Sequence, residues 1–187
     1  FPYSLGWLVD EAVSGGRIVG EAGHALGMIC QIVNLAPVRI YAEGGNLVQN
    51  DPKGTPDSAI ITLGFPDRSV GSLFLSSISN SGLPKEEILI CRANHTFVIN
   101  GFERMEVYSP QGKESLVLPQ MDKGQAALLA AFATSVLEDL PSPSGVETAM
   151  MVSLCTFAAM NSLRLNEVQW LTSVSYTHLT LPTNREV

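Results

Sequence analysis

The chain has 187 residues, 45% of them hydrophobic and 16% charged, with a net charge of −7; this is the balance of one globular domain with apolar mass enough for a core. Eleven Lys and Arg face eighteen Asp and Glu, with no basic cluster that could track a phosphate backbone, so nucleic acid is excluded as a partner. The longest apolar-rich run, 124–137, is too short to cross a bilayer, and no charged-then-apolar leader opens the sequence.

In chain order, the first informative stretch is SGGRIVGEAGH, residues 14–24. It sets a permissive Gly15-Gly16 turn and a cation, Arg17, before Glu21 and His24. Apolar residues at Ala25, Met28, Ile29, Ile32 and Val33 predict a helix over 21–35, ended by Pro37. VRIYAEGG (38–45) reads as a strand, and NLVQNDPKGTP as a loop. DSAIITLGF alternates Ala59, Ile61, Leu63 and Phe65 with Ile60, Thr62 and Gly64, and PDRSVG turns it back into SLFLSSIS. EEILICRA pairs with HTFVIN through Asn94 and His95, which reads as a turn residue. RMEVYS pairs with SLVLP around PQGKE. Asp122 is the expected N-cap of a helix over 123–138, with Ala126, Leu129, Ala130, Ala133 and Val136 on one side. PSPSG is a loop, and a last helix runs from Ser144 or Gly145 to about Leu165.

Helix, sheet, then two helices predict an α+β fold: an open, mainly antiparallel sheet with helices packed on one face. The other face is left broad and partly apolar, suited to another subunit. Residues 1–170 are expected to form this domain. Residues 171–187, without amphipathic period, read as a non-native or disordered tail, and His178 in it carries no functional weight. Cys30, Cys91 and Cys155 are odd in number and widely spaced, each in an apolar stretch, which fits buried thiols of a reducing cytoplasm rather than disulfides or a zinc site.

Three chemistries compete for Glu21 and His24. As E-x-x-H they share one helical face, but a metal centre needs further carboxylates from facing helices, and no H-E-x-x-H occurs. A nucleophilic hydrolase lacks both G-x-S-x-G and a cysteine beside a histidine. The plainest reading is a helix start, with Glu21 complementing the dipole and His24 a satisfied first-turn residue. Gly15, Gly16 and Arg17 pull against it, since they suit close approach to an anionic ligand.

SGGRIVGEAGH, a helix, VRIYAE, a variable loop, AIITLGFPDRSVGSL and PKEEILICRANHTFVING together resemble the C-terminal domain of the glucose–fructose oxidoreductase / inositol dehydrogenase family (Gfo/Idh/MocA). The resemblance runs from about Trp7 to Arg164. It implies a fragment lacking an N-terminal Rossmann domain, which would bind NAD or NADP. This chain would supply half of a sugar, cyclitol or polyol pocket and an open sheet face for homo-oligomerisation. His24 would be the acid/base for the substrate hydroxyl. Arg17 and Gly16 would approach the ligand, and Glu21 would orient its neighbours. Gly20 stands where many members carry an aspartate, and Glu21 sits about 100° further round the helix. No metal is implied, and G-x-G-x-x-G is absent. The fragment alone is expected to be inactive. A non-catalytic module that assembles through its sheet is the alternative.

Overall fold

The computed structural model describes residues 10–48 and 54–171. The tail expectation therefore falls, beyond residue 171, outside the described residues. The described chain divides into two compact units, one of residues 10–48, 54–78 and 144–171, the other of residues 79–143.

In the first unit Asp10 caps a single helical turn, α1 (Glu11–Ser14), by accepting the Ala12 N–H at 2.9 Å. Gly15, at φ 77°, ends α1 and opens α2 (Gly16–Val33). The long helix thus starts five residues earlier than the apolar period predicts, because the double-glycine turn itself sets the boundary. Asn34, also left-handed, closes it. Strands β1 (Arg39–Gly45), β2 (Ser58–Gly64) and β3 (Val70–Leu75) follow, then α4 (Val146–Leu165) and the two-residue β8 (Gln169–Trp170). The sheet order is β3-β2-β1-β8, all antiparallel.

The register puts Ile40 and Ala42 opposite Leu63 and Ile61 on one face. That face meets Ile18, Ala22, Leu26 and Cys30 of α2 and Cys155, Ala158, Ala159 and Met160 of α4 in one buried cluster. The other face leaves Ile60, Val70 and Phe74 exposed. The strand predicted at 72–79 stops at Leu75 because Ser77 turns in. Its hydroxyl donates to the Asp57 carbonyl, and its N–H donates to Ser58 Oγ at 3.0 Å. Beyond the short β8, the Ala42 N–H is taken by buried Ser162 Oγ at 2.9 Å, so a helix side chain finishes the edge of β1. By length and composition α4, with mean hydropathy 1.2, could cross a membrane, a possibility the 124–137 run did not reveal. Here it buries six residues, Cys155 and Ser162 among them.

The second unit is a meander, β4 (Glu87–Arg92), β5 (His95–Asn100), β6 (Arg104–Ser109) and β7 (Gly112–Val117), in the order β4-β5-β6-β7, and it also contains α3 (Gln125–Leu137). The expected α+β class and antiparallel pairing hold, and the strands are shared between two four-stranded sheets. Ala93 (φ 47°) and Asn94 (φ 63°) form the β4–β5 turn, both left-handed, as a two-residue type I′ hairpin requires. Asparagine accepts that backbone and alanine resists it. Ala93→Gly is expected to raise stability by about 1 kcal/mol, seen as a higher urea midpoint. The bend thus falls at Ala93 and Asn94 rather than at Asn94 and His95: His95 opens β5, and its ring bonds the Ala93 carbonyl at 3.0 Å.

On the surface of β6, Glu106 accepts from Tyr108 Oη (2.8 Å) and pairs with Arg104 Nη2 (2.8 Å) and Lys113 Nζ (3.0 Å). The Tyr108 hydrogen bond first, then that of Lys113, hold its carboxyl below the ordinary glutamate value. A lowered carboxylate adds stability above its unfolded value, and that contribution fades as pH falls through the folded one. Glu106→Gln should therefore flatten the loss of stability between neutral pH and about pH 3, as read from thermal melts.

Three expectations need correction here. Asp122 does not cap α3: the cap is Gly124, whose N–H donates to Asp122 Oδ1 at 2.7 Å. Cys91 is exposed, on a strand position beside exposed Leu89, whereas Cys30 and Cys155 are buried. The apolar side expected for α3 does not pack either: Leu129 and Val136 are exposed and Ser135 is its buried residue. Helix α3 is apolar all round, so its sequence dictates no inward face.

Candidate functional site

The α1–α2 junction fixes the neighbourhood of the predicted residues. Gly15 and Gly16 both adopt positive φ. The Gly16 N–H donates to Ser14 Oγ at 3.2 Å, and a Cβ on Gly16 would collide with the Thr55 methyl. The glycines are thus required by the helix-to-helix turn and by its contact with the loop before β2. Arg17 lies in the first turn of α2, half-buried, and Glu21 in the second, past the reach of the dipole.

Helical spacing puts positions 17, 20, 24, 27 and 31 along one stripe of α2, with 21 to its side. That stripe borders α4 within the first unit. Gly23 and Gly27 let the helices approach: a Cβ on Gly27 would lie 3.2 Å from Val152 Cγ2, and one on Gly23 3.5 Å from Val152 Cγ1. Above this contact the helices part into an open groove of about 450 Å³, lined by Gly20, His24 and Gln31 of α2 and Thr148, Val152 and Phe157 of α4, among others.

Of the five predicted site residues, the groove brings together Gly20 and His24; Gly16, Arg17 and Glu21 do not line it. His24 is exposed and is the one titratable side chain among the lining residues. Nothing lies within 4 Å of a Cβ built on Gly20, so the space one turn before His24 is open. Among the described residues no three of His, Cys, Asp or Glu come together as metal ligands. Gln31 could have been found by its seven-residue spacing from His24. Thr148 and Phe157 could not, because nothing in the sequence pairs α4 with α2.

A dinucleotide does not fit what is here. Helix α2 is entered from another helix through Gly15, not from a strand, so the glycines make no strand–turn–helix cradle for a pyrophosphate.

No protein-family model and no curated protein sequence matches the chain. Solved structures do. The chain is similar to an aldose–aldose oxidoreductase from Caulobacter crescentus complexed with glycerol, at TM-score 0.74 and 15% identity over 88% of this chain and 50% of that one. It is similar to an oxidoreductase domain protein from Kribbella flavida, at TM-score 0.73 and 15% identity over 89% and 53%. An oxidoreductase from Agrobacterium radiobacter, in complex with NAD+, L-tartaric acid and magnesium, matches at TM-score 0.67 and 16% identity over 80% and 47%. The chain has the fold of one half of these Gfo/Idh/MocA-type oxidoreductases. It spans about half of their length.

Proposed function

We propose that the chain is the C-terminal, substrate-binding and oligomerisation half of an NAD(P)-dependent oxidoreductase of the Gfo/Idh/MocA type, acting on a sugar, cyclitol or related polyol. The observation that carries this reading is His24, alone as a titratable group in a groove on α2, inside a fold that recurs as half of such enzymes.

The step this chain supplies is proton transfer. A neutral imidazole can take the proton of a carbinol hydroxyl held in the groove, then return it in the reverse direction. NAD or NADP, held by an N-terminal Rossmann half, supplies hydride acceptance. Gly20 leaves room for the ligand beside His24. Gly16, Arg17 and Glu21, off the groove, are assigned to parts of the ligand that extend past it toward the missing half. The exposed Ile60, Val70 and Phe74 on the outer sheet face suit contact with a second subunit. The same apolar face favours the second reading, an assembly module without catalysis. Three free thiols suit a reducing compartment such as the cytoplasm.

The coding sequence upstream of Phe1 tests the division of labour. An in-frame G-x-G-x-x-G after a strand, with Glu-Lys-Pro roughly a hundred residues on, supports it. An immediate start codon with no Rossmann half overturns it.

A further inference from the structure

The groove between α2 and α4 has a direction. A Cβ on Gly23 would meet both Val152 and Thr156, and one on Gly27 would meet Val152 alone. Advancing along α2 therefore means going back along α4, so the two helices run antiparallel. One turn beyond Gly27 comes Gln31, and one turn before Val152 comes Thr148. Both line the groove, at the end away from Gly20 and Phe157. His24 lies one turn after Gly20 and seven residues before Gln31, roughly 10 Å along the helix axis.

The walls between these points are polar but uncharged. The lining residues include no Lys, Arg, Asp or Glu. The hydroxyls of α4 already donate to their own helix, Ser153 to the Ala149 carbonyl at 2.9 Å and Thr156 to the Ser153 carbonyl at 2.8 Å. Their oxygens therefore accept from a ligand and give nothing to an anion. Gln31 is exposed, and its amide offers both a donor and an acceptor.

We propose that Gln31 is a positioning residue for an uncharged six-membered ring polyol, holding the hydroxyl across the ring from the one that His24 deprotonates. The inference rests on the reading of the groove as the substrate site. Length is the first match. Opposite hydroxyl oxygens on a six-carbon ring lie roughly 6 Å apart, and a hydrogen bond at each end adds about 3 Å. A ring held in this way spans the interval from His24 to Gln31, whose side chains are similar in length and lean the same way along the helix. Charge is the second match. A hydroxylated ring supplies the donors that Ser153 and Thr156 accept, whereas a carboxylate or phosphate would meet acceptors and no Lys or Arg. Val152 and Phe157 suit the C–H faces of such a ring. Gln31 holds the ground state and the transition state alike, so its loss acts on KM, while the loss of His24 acts on kcat.

Binding and turnover test the anchor separately. In the 187-residue chain, NMR titration with scyllo-inositol should shift the Gln31 side-chain amide, identified by its loss in Gln31→Leu, together with the His24 ring. Leucine preserves the exposed helix, and the variant should bind this probe roughly three- to tenfold more weakly. D-Glucuronate should bind more weakly than D-glucose by roughly tenfold. In the full-length protein, Gln31→Leu should raise KM by a similar factor for the ring polyol it oxidises fastest, with kcat held. A shift at His24 with Gln31 unmoved, an unchanged KM in Gln31→Leu, or glucuronate preferred to glucose would overturn the anchor and leave His24 and the groove in place. If neither residue moves and the full-length protein oxidises no polyol, the anchor falls together with the reading beneath it.

Discussion

His24→Ala in the full-length protein is expected to lower kcat/KM for its polyol substrate by roughly 10²–10⁴-fold, with the melting temperature unchanged. The size follows from losing the one acid/base side chain among the groove-lining residues. The neutral melting temperature follows from exposure: His24 is outside the core and no neighbour folds around it. The loss should fall on kcat as well as on kcat/KM, because a proton acceptor acts in the transition state rather than in ground-state binding. His24→Gln keeps hydrogen-bonding capacity without the ability to titrate and should be nearly as impaired. Steady-state kinetics of the wild type and both variants check these points, and unchanged turnover in His24→Ala would remove His24 from the reaction.

Asp57→Ala is expected to cost about 3 kcal/mol of stability or more. The carboxylate is 1% exposed. It accepts the Leu47 N–H at 3.1 Å, the Val48 N–H at 3.1 Å and the Ser58 hydroxyl at 2.8 Å. Those bonds tie the turn after β1 to the start of β2, and the Asp57 N–H in turn donates to the Gly45 carbonyl at 3.0 Å. Alanine would remove the shared acceptor of two backbone donors and of the buried Ser58 hydroxyl. Asp57→Asn keeps one acceptor oxygen and should lose about half as much. Urea unfolding of the three chains, with midpoints in the order Asp, Asn, Ala, checks the ranking; an alanine midpoint equal to wild type would contradict it.

Asp57 also shows where the sequence was and was not legible. The register of β2 could be read directly, because Ala59, Ile61, Leu63 and Phe65 alternate, and all four are buried. The pairs β4–β5 and β6–β7 followed from turn residues. Asp57 was invisible in the same stretch, since an aspartate before a strand looks like any loop residue until Leu47 and Val48 come back to it. The Ser162 bond to Ala42 spans 120 positions and leaves no local pattern. The division of the strands into two sheets is a tertiary choice of the same kind. At the groove, the sequence singled out His24 and Gly20, which line it, and Gln31 follows from helical spacing. The α4 wall was not legible, because an Ala- and Met-rich helix packs in several ways with equal ease.

The most direct measurement of the central claim is nicotinamide reduction by the full-length protein. NAD+ and NADP+ would each be offered with a panel of cyclitols, aldoses and linear polyols, and the reduced cofactor followed by its absorbance. The account predicts substrate-dependent reduction by the full-length protein, none by the 187-residue chain alone, and near-complete loss in His24→Ala. Reduction that survives His24→Ala undiminished, or a full-length protein that binds neither dinucleotide, would contradict it.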